Sequence, residues 1–334
     1  MRRYGNLWEK VISRENILNA FGRASKGKKW RHGIHRACAN KEALTTKLIQ
    51  CLQSGTYHTS AYRTKQIYEP KQRTIYILPF FPDRVLHHAI MAVLEPIWDG
   101  LMFYHSYACR EGKGQYAGSK RCMKWVVSYD YCLKCDISKF YPSVNHTVLK
   151  QIIRKKIKDK KLLALLDEII DSAEGETNVP IGNYLSQWFG NLYLNELDTF
   201  VKQTLGVRAY MRYCDDFVLF SNDKVQLARW RGAIEKFSRE TLKMTLSKKT
   251  IFRTEQGVDY LGYRHFKAGY ILLRKRTALR LKRRMSCLNI KRRGKKFCRG
   301  QVASSFGLIR HCNGHNLAIK TNIHALAEAV GCQI

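Results

Sequence analysis

The stretch that decides the fold is Tyr210-Met-Arg-Tyr-Cys-Asp-Asp-Phe-Val-Leu-Phe220. Apolar, β-prone residues flank Cys214-Asp215-Asp216 on both sides, so the run predicts a β-hairpin with two acids at its tip. Aspartate suits tight turns, and that is the plain reading of the pair. Adjacent carboxylates on a short turn also repel, and a basic chain has other turn residues to use. A divalent cation removes the repulsion. Hard carboxylate oxygens suit Mg2+, which usually takes one or two carboxylates plus substrate phosphates.

Outward from the hairpin lies a third acid, Asp136, in Lys134-Cys-Asp-Ile-Ser-Lys-Phe-Tyr-Pro. It sits at the end of a predicted strand from Tyr131 to Ser138. If that strand lies beside the hairpin, the acids converge. Two Mg2+ ions about 4 Å apart would there activate an attacking 3′-hydroxyl and stabilise a leaving pyrophosphate. That is nucleotidyl transfer.

Composition agrees. The 334-residue chain carries 60 Lys+Arg against 26 Asp+Glu, a net charge of +34. Such a surplus makes nucleic acid the first expected partner and an anionic membrane the second. The length excludes a mini-protein, and 45% apolar residues with only 6 prolines argue against long disorder. No apolar run approaches the ~18 residues of a membrane span. The opening Met-Arg-Arg-Tyr-Gly-Asn-Leu-Trp-Glu has no apolar core for a signal peptide. The 11 cysteines follow no framework, so free thiols in a reducing cytoplasm are expected. Cys132 and Cys135 form a lone Cys-x-x-Cys pair running into a strand. Cys298, His311, Cys312 and His315 match no common zinc spacing.

Along the chain, the first 60 residues read as basic and helical, with a Lys/Gly/Arg loop from Lys26 to Arg31 and a helix from Leu44 to Leu52. Tyr62 to Leu78 reads as extended, turning at Glu69-Pro70-Lys71. Val85 to Ile97 has helical spacing. Tyr107 to Gly118 reads as a glycine-bearing loop. Val148 to Ile170 gives two helices, Leu185 to Phe200 a long one, and Lys224 to Leu242 another. Asp259 to Tyr270 returns to strand. From Arg274 to Arg299 there are 13 Lys/Arg and no acid. Leu281, Met285 and Leu288 lay one apolar stripe on this basic helix. A solvated face is the ordinary reading of a charge run, but cations this crowded suit a phosphate backbone.

Tyr213-Cys214-Asp215-Asp216 resembles the Tyr-x-Asp-Asp motif of reverse transcriptases. The ordered set around it carries the resemblance. It comprises Arg73 and Arg84, Asp136 with Tyr141 five residues on, Gly182 before a long helix, Lys248-Lys249, and Tyr260-Leu261-Gly262-Tyr263. The likeness runs from about residue 62 to 325. It implies an α+β right-hand polymerase with fingers, a palm bearing an antiparallel sheet, and a helical thumb. The expected partition is a basic helical extension over 1–60, fingers over 61–130 with 142–180 shared between fingers and palm, a palm over 131–270, and a basic thumb over 271–334.

The resemblance also implies roles. Asp136 and Asp215, supported by Asp216 and the backbone carbonyl of Ile137, would hold two Mg2+ ions. Tyr141 would abut the sugar 2′ position, with a core aromatic as its alternative. Lys71 and Arg73 would reach the triphosphate, where charge grows during transfer. Arg84 and Arg110 are either further contacts or structural ion pairs. Lys248 or Lys249, read as lying in a Ser-Lys-Lys turn, would protonate pyrophosphate. Tyr260, Leu261 and Gly262 would grip the primer end. Arg274, Lys275, Arg276, Arg280, Lys282, Arg283 and Arg284 would follow the backbone of the template RNA and RNA/cDNA hybrid.

The glycine block narrows the likeness. Ile181-Gly182-Asn-Tyr-Leu-Ser186-Gln187 replaces the Gln-Gly-x-x-x-Ser-Pro of most bacterial reverse transcriptases. Its Ser-Gln ending and the apolar residue before glycine are similar to the enzymes of diversity-generating retroelements. Tyr68-Glu-Pro-Lys-Gln-Arg73 and Tyr107-Ala-Cys-Arg110 look like that family too. Ile181 offers the incoming dNTP no polar group, so the resemblance implies an error-prone enzyme whose errors fall at template adenines. It also implies a structured template RNA, a pentameric helical-bundle accessory protein, no membrane, and a bacterial, archaeal or phage-encoded protein of the cytoplasm. The alternatives are a retron or group II intron-derived enzyme and, from another class, a non-catalytic RNA-binding protein that kept the fold.

Overall fold

The computed structural model describes residues 3–68 and 72–333. The predicted turn at Glu69-Pro70-Lys71, and with it Lys71, lies outside the described residues. In chain order the helices and strands begin with α1 (Trp8–Ile12), α2 (Arg14–Ser25), α3 (His32–Ala39), α4 (Lys41–Gln53), β1 (Arg63–Ile67), β2 (Arg73–Ile77) and α5 (Val85–Leu101). Next come α6 (Gln115–Ser128), β3 (Tyr131–Ile137), α7 (Phe140–Ser143), α8 (His146–Arg154), α9 (Lys160–Asp171) and α10 (Tyr184–Thr199). The hairpin β4 (Tyr210–Tyr213) and β5 (Asp216–Ser221) is followed by α11 (Lys224–Glu240), β6 (Leu246–Arg253), β7 (Val258–Tyr260), β8 (Tyr263–His265) and β9 (Ile271–Leu273). The chain continues through α12 (Lys275–Ser286), α13 (Ile290–Arg293), α14 (Lys295–Ile309), α15 (His315–Lys320) and α16 (Ile323–Val330).

The chain forms two compact units. The first comprises Met1–Tyr104, Asp136–Gly206 and Ala233–Lys248. Ile17, Ala20, Phe21 and Ala24 recur at i, i+3, i+4 and i+7 on α2 and are all buried, which is why this basic segment is a helix with one packed face. That face meets α5, where the Asn16 side chain donates to the Ala89 carbonyl at 2.9 Å. The α5 ring of Trp98 lies 6.4 Å from Trp188 and 6.0 Å from Phe189 on α10. Strands β1 and β2 pair antiparallel from Arg63↔Ile77 to Ile67↔Arg73.

Asp159 joins distant parts of this unit. It caps α9 by accepting from the Leu162 N–H at 3.4 Å. It also accepts from the N–H groups of Leu7 at 2.8 Å and Trp8 at 2.9 Å. Burial by itself would raise its pKa, but these backbone donors together hold the carboxyl below the ordinary aspartate value.

The second unit comprises His105–Cys135, Val207–Gly232 and Lys249–Ile334. Its sheet has the order β4-β5-β3-β6. Beneath it Cys122 and Val126 of α6 pack with Cys132, Met211, Val218, Phe220, Val258 and Tyr260. Cys132 and Cys135 are both fully buried, so that pair is core. The short strands β7, β8 and β9 form an antiparallel meander. A last cluster packs Leu281 and Met285 of α12 with Cys298, Val302 and Ile309 of α14 and Ile323, Ala327 and Val330 of α16.

Two expectations are corrected. The basic stretch from Arg274 to Arg299 is three helices. Asn289 caps α13 by accepting from the Arg292 N–H, and Gly294, at φ +79°, breaks the chain before α14. Leu281 and Met285 are buried as the stripe predicts, and Leu288 joins the same cluster from beyond the end of α12. The expected 107–118 loop ends early, since α6 starts at Gln115.

Asp159→Ala removes a helix cap and the anchor of the first turn together. It should lower stability to denaturant by about 1–2 kcal/mol. The native contribution is present above the ordinary aspartate range of about 3.9 and is lost as pH falls through the lowered folded value. The difference between parent and variant should therefore narrow in acid.

Candidate active site

Strands β4 and β5 pair antiparallel with Tyr213 opposite Asp216, so Cys214 and Asp215 form a two-residue turn. Such turns need positive φ, and Cys214 adopts +52° without being glycine. Two basic side chains of the second unit hold this turn. Arg212 is fully buried, and its Nη1 donates to the Cys214 carbonyl at 3.1 Å. Lys134, on β3, has its side chain 17% exposed and its Nζ 3.4 Å from Asp216 Oδ2. The same Nζ donates to the Asp259 carbonyl at 2.5 Å and lies 5.7 Å from the centre of the Tyr260 ring. The Tyr260 hydroxyl donates to the Asp216 carbonyl at 2.9 Å. Burial, and then the Asp216 charge, hold that phenol well above its usual range.

Sequence reasoning missed Arg212 and Lys134. The available signal for Arg212 was a single cation inside the run Tyr210–Phe220, where a strand buried on both faces has no use for a charge. Tyr260 carries no exposed ring for a primer; it props Asp216 from within the core. The next two residues close the β7–β8 turn, with φ +54° at Leu261 and +82° at Gly262. The Leu261 carbonyl accepts from Gln115 Nε2 at 2.5 Å.

In the first unit Asp136 closes β3. Its Oδ2 accepts from the Ser247 hydroxyl at 3.0 Å and its backbone carbonyl from the same hydroxyl at 3.1 Å. Ile137 is buried. Lys139, at φ +43°, then turns the chain into α7, which carries Tyr141. Tyr141 reaches its place because α10 has a glycine there: a Cβ at Gly190 would come 2.9 Å from Phe140 Cε1 and 3.3 Å from Tyr141 Cε1. Asp215 and Asp216 stand in the second unit and Asp136 in the first. Among the described residues no group of three or more His, Cys, Asp or Glu side chains is gathered to hold a metal.

The glycine block sits against β2. The Tyr76 N–H donates to the Ile181 carbonyl at 2.8 Å. Gly182 has φ +121°, and a Cβ there would lie 2.4 Å from the Tyr76 carbonyl oxygen, so glycine is required twice over. Ser186 is buried and donates to the Pro180 carbonyl at 2.7 Å, while Gln187 is exposed. Arg73 is exposed at the start of β2. Arg84 is half-buried among cations. Burial and then Arg31 lower its pKa, and burial followed by Arg84 lowers His88 to about 4.

Lys248 and Lys249 are exposed on strand β6, not in the expected turn. On α12, Lys275, Arg276, Arg280, Lys282, Arg283 and Arg284 are exposed, because Leu281 and Met285 take the buried face. Arg274 differs: its guanidinium is held by Asp259, with Nη2 to Oδ1 at 2.6 Å. Arg110 Nη1 donates to the Ser106 carbonyl at 3.1 Å.

The sequence profile of the family described as Reverse transcriptase (RNA-dependent DNA polymerase) matches residues 63–265. The chain is 23% identical to the group II intron-encoded protein LtrA of Lactococcus lactis subsp. cremoris, over 65% of this chain and 49% of that protein. It therefore spans about half the length of that relative. It is 24% identical to protein YkfC of Escherichia coli (strain K12), over 80% of this chain and 83% of that one. Among solved structures it is similar to telomerase from Candida albicans, with a TM-score of 0.51 and 12% identity over 84% of this chain and 57% of that chain. The likeness is one of fold, that of a right-hand polymerase.

Gly182→Ala should destabilise the protein by at least about 1–3 kcal/mol, read from its melting or denaturant midpoint. Gly22→Ala, on an open face of α2, should be neutral or stabilising.

Proposed function

The chain belongs to the reverse transcriptase (RNA-dependent DNA polymerase) family, and from that premise we propose that it copies an RNA template into DNA by two-metal nucleotidyl transfer. The observation that carries the reading is the Tyr213–Asp216 turn, two carboxylates side by side and braced from behind by Arg212 and Lys134. Strand alternation supports adding Asp136 to the set. It lies two residues from Lys134 on β3, so both side chains leave the same face of the strand, and Lys134 meets Asp216.

The donors fit Mg2+, since Asp136, Asp215, Asp216 and the Ile137 carbonyl offer hard oxygens only and the three acids are half-exposed. Bound there, the two ions would activate the 3′-hydroxyl and stabilise the leaving pyrophosphate. The chain's own side chains do the rest. Arg212 and Lys134 keep the acidic turn in place. Tyr141, backed by Gly190, would close on the sugar 2′ position. Arg73, with Lys71, would take the triphosphate, and Lys248 or Lys249 would supply a proton to pyrophosphate. Leu261 and Gly262 would guide the primer end. The exposed cations of α12 would follow phosphates without reading sequence.

Within the family, Ile181 with Ser186-Gln187 favours an error-prone enzyme of a diversity-generating retroelement. It would mutate at template adenines and work with a structured RNA and a pentameric accessory protein in the cytoplasm. The likeness to the group II intron-encoded protein LtrA favours a second reading, a group II intron-derived enzyme, beside which a retron-type enzyme is the related alternative. No helix among the described residues is long and apolar enough to cross a membrane.

Primer extension on an RNA template with Mg2+ and dNTPs tests the activity. Asp215→Ala should lower incorporation by about 10^2–10^3-fold or more; an unaffected variant would refute the reading. Ile181→Gln restores one hydrogen bond, worth about 0.5–1.5 kcal/mol, so misincorporation should fall roughly 2–10-fold. An unchanged error rate would instead favour the second reading.

A further inference from the structure

Two cysteines meet at the acidic turn. Ser106 and Arg212 form a parallel β-bridge, with the Arg212 N–H donating to the His105 carbonyl at 3.0 Å and the Tyr107 N–H to the Arg212 carbonyl at 2.9 Å. The two segments leave that bridge in the same direction. One reaches Cys109 and the other reaches Cys214, and their thiols are hydrogen-bonded to each other. Cys109 is exposed and Cys214 half-buried, whereas Cys122, Cys132, Cys135 and Cys298 are sealed in the core. Both residues hold left-handed backbone, φ +57° and +52°. The loop that carries Cys109 is tied down on both sides, by Arg110 Nη1 to the Ser106 carbonyl at 3.1 Å and by the Gly114 N–H to the Tyr107 carbonyl at 2.8 Å.

We propose that Cys109 and Cys214 are a modification site, a thiol pair that hydrogen peroxide converts to a disulfide, arresting the acidic turn. The sulfur of Cys109 attacks one peroxide oxygen. The O–O bond breaks, Cys109 becomes a sulfenic acid, and the departing hydroxide takes the thiol proton to leave as water. The sulfur of Cys214 then attacks that of Cys109, displacing its hydroxyl, which leaves with the Cys214 proton as a second water. Two thiols are oxidised by two electrons in total, and one peroxide is reduced to two waters. A thiol reductant reverses the bond by exchange. Cys109 is the solvent-exposed member of the pair, so peroxide meets its sulfur first.

Closing a hydrogen-bonded sulfur pair to about 2.05 Å must move one of its segments. Cys214 stands beside Asp215 in the two-residue turn, so drawing its sulfur onto Cys109 displaces Asp215 with it. The effect on polymerisation rests on the proposed function; the bond itself does not.

The test uses the full chain, reduced and then treated with hydrogen peroxide. Peptide mapping without reductant should find Cys109 joined to Cys214 with the loss of two hydrogens. Primer extension should fall by about tenfold or more, since misplacement by ~1 Å can cost ~100-fold, and dithiothreitol should restore it. Cys109→Ser should keep its activity through peroxide. The proposal fails if the map shows no such linkage, or if Cys109→Ser is inactivated as the parent is. If reduced protein polymerises nothing, the proposed function fails, and the map still decides the thiol pair.

Discussion

The sheet of the second unit depends on holding two neighbouring aspartates at the bend of a short hairpin. Their repulsion is answered from the protein side by a fully buried guanidinium and a mostly buried ammonium. A buried arginine is tolerable only where its donors are satisfied, and Arg212 gives one of them to the carbonyl of the bend itself. The cation therefore serves geometry as well as charge. It fixes the backbone of the turn while leaving the carboxylates half-exposed.

Glycines do comparable work in the first unit by letting other groups in. Gly182 admits the Tyr76 carbonyl, and Gly190 admits the Phe140 and Tyr141 rings against α10. In both places a neighbouring group is positioned by the absence of a side chain on the glycine. The glycine block is thus a joint between a strand pair and a long helix, and the exposed Gln187 and half-buried Ile181 project from a fixed frame.

The hairpin, the long helix after Gly182 and the apolar stripe of α12 were legible because periodicity and turn chemistry are local. The tip acids stood out for the same reason, as charge set between apolar runs. What sequence did not disclose were the non-local partners. Lys134 meets Asp216 only because β3 and β5 are neighbours in the sheet, and no spacing along the chain states that. Tyr260 looked like a residue for the nucleic acid, and its burial follows from packing under the same sheet. Helix α3 was hidden in a cationic stretch with a single buried residue, Ile34. The breaks at Asn289 and Gly294 lie inside a charge run, marked locally by one capping asparagine and one glycine.

Asp259 faces two ways. Its carboxylate holds Arg274 at the threshold of α12, and its carbonyl takes the ammonium of Lys134, which also reaches Asp216. One residue thus ties the start of α12 to the counter-charge of the acid pair.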